Sequence, residues 1–197
     1  MFMQTGKLLK KFAAKDGRQV ILRTLRWEDL DDCLELINSL VAEGVNISRS
    51  QKVSRTEEIE WLGRALGRME RNEIVYVTAV VEGKVIANSE VSVRLGGYEN
   101  HVGTIGIAIK KGYRDIGIGT EMMKTLINQG EKMGLKILTL SAFANNKRAI
   151  HLYEKLGFRR TGAIPNKFYK RGKYIDEIIM TRPQSGIRAA SLTAAQA

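Results

Sequence analysis

The chain has 197 residues, 44% of them apolar, with 32 Lys and Arg against 21 Asp and Glu for a formal net charge of +11. That length suits one core and a single domain. Its only cysteine, Cys33, excludes an intramolecular disulfide, and no apolar run approaches the ~20 residues of a membrane span or forms a secretory leader, so a cytoplasmic protein with anionic ligands or partners is expected.

Lys7–Ala14 and Arg18–Leu25 flank Asp16-Gly17, a dipeptide suited to positive φ, and are read as a hairpin. Trp27–Glu43 places Leu30, Cys33, Leu34, Ile37 and Val41 at helical spacing and stops at Gly44. The capping box Ser54-x-x-Glu57 opens a second helix with Ile59, Leu62, Leu66 and Met69 on one face. Three strands follow: Ile74–Val81, Lys84–Leu95 after the Glu82-Gly83 turn, and Val102–Ile109. A helix from about Gly117 to Met133 closes at Gly134; then come a buried strand Lys136–Ala142, a short helix Lys147–Leu156 and a last hairpin, Phe158–Thr181, turning near Arg171-Gly172. The tail from Gln184 to Ala197 is small, polar and aperiodic, and disorder is expected there.

Between the third strand and its helix the chain reads Gly112-Tyr-Arg-Asp-Ile-Gly-Ile-Gly119. A strand feeding a glycine-spaced turn and a helix N-terminus suits phosphate, because first-turn amides have no partner inside the helix and the macrodipole adds about half a positive charge. Gly117 and Gly119 are expected to keep side chains clear of that anion. The turn is not a dinucleotide fingerprint, since Met122 stands where a third glycine belongs, and it lacks the Lys-Ser/Thr of a Walker loop. Alone, the same pattern fits an ordinary strand-to-helix turn.

A second motif lies about thirty residues on, Asn145-Asn-Lys-Arg-Ala-Ile-His-Leu-Tyr-Glu-Lys-Leu-Gly-Phe158. With Arg114-x-x-Gly117-x-Gly119 it resembles the GCN5-related N-acetyltransferase (GNAT) superfamily, whose members transfer an acyl group from coenzyme A to an amine. The resemblance covers roughly residues 18–182, with 1–17 as an N-terminal strand extension and 183–197 as the tail. It implies an α/β (α+β) single-domain fold: a mixed, mostly antiparallel central sheet, helices on both faces and a splayed parallel strand pair.

By that resemblance, main-chain groups of Ile107, Ala108 and Ile109 pair with the pantetheine arm of acetyl-CoA, and the segment Arg114, Asp115, Ile116, Gly117, Ile118, Gly119 and Thr120 cradles the pyrophosphate. Asn146 bonds the arm, leaving Asn145 as a turn or cap residue, and Tyr153 stands near the thioester sulfur as general acid. Bases used in well-known branches are missing, with Ser141 and Gly103 at their positions. Glu90, Glu99 and His101 remain as base candidates, although Glu90 sits in the row Asn88, Glu90, Ser92, Arg94 that reads as a solvated pleat face. Direct attack in a ternary complex is expected, without metal and without a role for Cys33, on an amine of a protein, peptide or small molecule. A homodimer is left open, and no membrane partner is expected. The competing readings are a coenzyme-binding module that has lost its base, and a nucleic-acid binder using Lys167, Lys170, Arg171 and Lys173 around Phe168, Tyr169 and Tyr174.

Overall fold

The computed structural model describes residues 4–47, 49–93 and 95–184. Arg94 and the tail beyond Gln184 lie outside the described residues. The order of elements is β1 (Leu8–Ala13), β2 (Gln19–Thr24), a 3-10 turn at Trp27–Asp29, α1 (Leu30–Glu43), α2 (Arg55–Glu70), β3 (Ile74–Val81), β4 (Lys84–Val93), β5 (Val102–Ile109), α3 (Ile118–Lys132), β6 (Ile137–Phe143), α4 (Lys147–Lys155), β7 (Arg159–Lys170) and β8 (Lys173–Pro183). The strands form one sheet in the order β1-β2-β3-β4-β5-β6-β8-β7. Neighbours are antiparallel except β5 and β6.

Because side chains alternate across a strand, each sheet face needs its own cover. On one face Leu25, Leu30, Cys33, Leu62, Ala65, Met69 and Tyr76 bring α1 and α2 onto β3. On the other, Val75, Val77, Val91, Ile105, Ile118, Met122, Leu126 and Ile150 pack α3 and α4 against the sheet.

Several local expectations shift. Only Gly17 of the first turn has positive φ, +87°. The first helix begins with the 3-10 turn, and its buried residues are Leu30, Cys33, Leu36 and Leu40, a stripe rotated from the expected Leu34 and Val41. Leu36 and Leu40 seal against Val80 and Val85. Pro183 belongs to β8, and Gln184, assigned to the tail, is buried, its backbone N–H donating to Lys136 O at 2.7 Å. The N-terminal hairpin braces the glycine turn: Lys15 N–H donates to Ile116 O at 2.9 Å, and the Arg18 guanidinium donates to Gly112 O at 2.7 Å while lying over the Tyr113 ring.

Asp29 joins the two halves of the α1 face. Buried with Arg23, it accepts two guanidinium bonds at 2.6 and 2.7 Å, and Arg23 also reaches Thr78 Oγ1 on β3 at 3.3 Å. Removing one member of such a pair leaves a buried charge unmatched. Asp29→Ala should therefore cost about 3–5 kcal/mol in denaturant unfolding, whereas the double change Arg23→Met/Asp29→Leu should cost much less.

Candidate active site

β5 and β6 pair only at Val102–Ile137, Gly103–Leu138 and Thr104–Thr139. Beyond Thr104 they part, although β4 holds β5 as far as Ile109 and β8 holds β6 as far as Phe143. The gap belongs to a cleft of about 610 Å³.

The Lys110 N–H donates to Ile86 O at 2.9 Å, which fixes the phase of the β4–β5 ladder. In an antiparallel ladder alternate residues bond the same neighbour. Gly106 and Ala108 thus turn their main chains to Glu90 and Asn88, while those of Ile105, Ile107 and Ile109 face the gap. Ala108 is accordingly not free to pair with an arm, and the Ile109 carbonyl already accepts from Arg114 Nε at 2.8 Å.

At the end of β5 the backbone swings through positive φ at Gly112, Asp115 and Gly117, and Gly117 caps α3 with no side-chain cap on its amides. This alternation gathers N–H groups into an anion-binding concavity. The two motif glycines do different work. Gly117, at φ +94°, makes the left-handed turn, whereas a Cβ on Gly119 would meet Ile109 Cδ1 at 3.1 Å and Leu152 Cδ2 at 3.6 Å, so Gly119 serves packing rather than anion approach. Arg114 is turned away from the cradle: its guanidinium clasps Glu43 at 2.6 and 2.8 Å and holds that carboxyl below the usual range. Asp115 pairs with Arg148 of α4.

Asn146 is the N-cap of α4, its side-chain oxygen accepting the Ala149 N–H at 3.3 Å, which leaves its amide NH₂ toward the cleft it lines. Asn145 does not cap; it accepts from Asn46 Nδ2 at 2.8 Å. Tyr153 is buried, lies edge-on to Phe158 and also lines the cleft; burial pushes its phenol up to about 12. At neutral pH the phenol is therefore protonated.

The structure separates the base candidates. His101 is exposed in the turn before β5, where its carbonyl accepts from Lys136 N–H at 2.8 Å, and Glu99 is exposed in the same turn. Neither lines the cleft. Glu90 does, and the expectation of a solvated face is corrected: Glu90 is half-buried beneath α1 and α2, and burial raises its carboxyl, with Arg68 opposing. Its carboxylate occupies the space that a Cβ on its cross-strand partner Gly106 would take. Sequence reading missed Glu58. It is 5% exposed, lines the cleft from α2, and burial raises its carboxyl. The signal was its place four residues before Leu62, on the buried stripe Glu58, Leu62, Ala65 and Met69. Cys33 also reaches the cleft, but burial and then Asp29 and Glu58 push its thiol up, away from the thiolate a nucleophile needs.

The rim is closed by the final hairpin. Lys170 Nζ donates to Val45 O at 2.7 Å and Asn46 Oδ1 at 2.8 Å, Phe143 stacks on Phe168 at 3.7 Å, and the Arg171 guanidinium packs on Gly44. Lys170 and Arg171 thus act as clamps within the fold.

Residues 33–158 match the model of the Acetyltransferase (GNAT) family. The chain belongs to that family. Among relatives of this GNAT acetyltransferase, YwnH of Bacillus subtilis is 26% identical over 166 residues, 83% of this chain and 99% of that protein. The L-amino acid N-acetyltransferase AaaT of Escherichia coli K12 is 25% identical over 114 residues, 57% of this chain and 70% of its own. A phosphinothricin acetyltransferase of Sinorhizobium meliloti, solved in complex with acetyl-CoA, superposes with a TM-score of 0.76 at 22% identity, covering 87% of this chain and 94% of that one.

A carboxyl raised by burial binds its proton more tightly folded than unfolded. Stability is then lost as pH rises from the ordinary glutamate value through the folded one, and the deficit persists above it. Glu58→Gln should therefore raise the melting temperature at about pH 8, and the difference from wild type should vanish near pH 4 in parallel thermal melts.

Proposed function

We propose that this acetyltransferase moves an acetyl group from acetyl-CoA to a primary amine by direct attack in a ternary complex. The observation that carries the reading is one continuous path: the open edge of β5 at Ile107 and Ile109 leads to the uncapped N-terminus of α3, with Tyr153 and Glu90 both lining the cleft that the gap belongs to. Main-chain groups of Ile107, the Ile109 N–H and the Asn146 amide would hold the pantetheine arm, and the amides from Asp115 to Thr120 the pyrophosphate. Bound acetyl-CoA supplies the acyl thioester.

An alkyl ammonium, with pKa near ~10.4, must lose a proton before it attacks. Glu90 takes that proton; its raised affinity brings it closer to the ammonium than an exposed carboxylate would be. A main-chain N–H near Ile109 meets the developing oxyanion, and the Tyr153 hydroxyl donates toward the departing sulfur. A carboxylate in the cleft favours this over a silent coenzyme-binding module. No described helix is long and apolar enough to cross a membrane.

Calorimetric titration with acetyl-CoA, with Thr120→Glu as the control, tests the coenzyme site. The added carboxylate suits a helix's first turn and so preserves the fold while repelling an anion there. Saturable binding by wild type and its loss in Thr120→Glu are expected; no binding by folded wild type would sink the reading.

Thiol release with an amine panel tests the chemistry. Tyr153→Phe should lower kcat about 100-fold with acetyl-CoA affinity unchanged, and Glu90→Gln should lower kcat/KM by about 100-fold or more. In wild type, kcat/KM should rise with pH along a limb set by the raised Glu90 carboxyl, a limb that Glu90→Gln removes.

A further inference from the structure

The cleft's charge opposes that of the chain. Among the described residues lining it, Glu58, Glu90 and Glu177 stand against Arg49, in a protein of net charge +11. Glu58 is the singular member. It is 95% buried, yet among the described residues its carboxylate has no hydrogen bond and no ion-pair partner within 4 Å. No fully occluded side-chain polar atom lacks a partner, so the Glu58 oxygens keep their opening, and the cleft they line supplies it. A glutamate in the first turn of α2 gains from the helix dipole. That gain explains an exposed residue, not one turned into the buried stripe.

A buried carboxylate without a partner is costly, and a charged hydrogen-bond donor relieves it. Trp61 lies three residues on, on the same face of α2 and in the same cleft wall, where an indole favours a cation. We infer, resting on the transferase reading above, that the acceptor carries a second positive charge beyond the amine that reacts, and that Glu58 binds it. An acceptor carrying a carboxylate instead would have to reach Arg49. That arginine is the cation acting electrostatically on Glu58, so the carboxylate would come to lie against Glu58 as well.

Three acceptors of one length separate these cases: pentylamine, 1,5-diaminopentane and 5-aminopentanoate, assayed by thiol release from acetyl-CoA. The diamine should exceed pentylamine by about ten-fold or more in kcat/KM, the size of a charged hydrogen bond, with 5-aminopentanoate lowest. Glu58→Gln should remove that advantage while leaving pentylamine turnover nearly unchanged; Glu58→Asp should keep part of it. Equal rates for diamine and pentylamine, preference for 5-aminopentanoate, or a loss in Glu58→Gln equal for all three acceptors would overturn the inference. Should acetyl-CoA bind but none of the amines release thiol, the transferase reading fails. Calorimetry of 1,5-diaminopentane with the acetyl-CoA-loaded protein then decides separately: binding lost in Glu58→Gln supports a dication site, and absence of binding by wild type refutes it.

Discussion

The parting of β5 from β6 is the constraint from which the site follows. Each strand is anchored along its outer side, β5 by β4 as far as Ile109 and β6 by β8 as far as Phe143, so neither can bend to close the gap. Main-chain groups left on the inner edges cannot be buried unmatched without cost. They demand a partner, and a thin polyamide strand meets that demand along its length. The same divergence opens room for Asn146 and Tyr153 from α4, and it points the end of β5 at the first turn of α3. On the proposed reading, coenzyme binding, proton donation and the acceptor cleft are thus three uses of one missing stretch of sheet.

Net charge proves a poor guide to what the individual cations do. Arg114, which the motif assigns to phosphate, ties α1 to the glycine turn through Glu43 and the Ile109 carbonyl. Lys170 and Arg171 hold the last hairpin against the loop after α1, and Arg18 supports the glycine turn from outside. These cations are engaged within the fold, which weakens the case for the hairpin as a nucleic-acid surface. On the proposed reading, anion recognition at the turn rests instead on backbone amides, which carry no formal charge and leave no trace in composition.

Element order, the Ser54 capping box, the glycine turn and the α4 motif were legible because each depends on local chemistry: a cap, a positive φ, a helical period. Glu90 was misread for a physical reason. Alternation says that Asn88, Glu90 and Ser92 share a face, but it cannot say whether water or a ligand cleft covers that face. The distinction depends on α1 and α2, far away in sequence, covering the face only in part. His101 failed as a candidate because its position along β5 matters more than its chemistry; it lies at the paired end, away from the gap. Glu58 was hidden by the neighbouring box residue Glu57, which accounts for an acidic first turn. Only the helical phase of α2, with Ala65 buried and Leu66 partly so, reveals it.

Gly106 shows how closely the two halves of the cleft are matched. A strand interior gains from a side chain, and glycine there weakens it. Here the missing Cβ is the seat of the Glu90 carboxylate. Both acidic groups therefore stand where they cost stability, one in a niche cut from β5 and one on the buried stripe of α2. Among the described residues neither forms an ion pair: Arg49 acts on Glu58 and Arg68 on Glu90 only through space, whereas Asp29 is paired directly with Arg23. A core selected for stability alone would neutralise or replace them. Two carboxylates without ion-pair partners, lining one cleft, are the arrangement expected where the matching charge arrives with the acceptor.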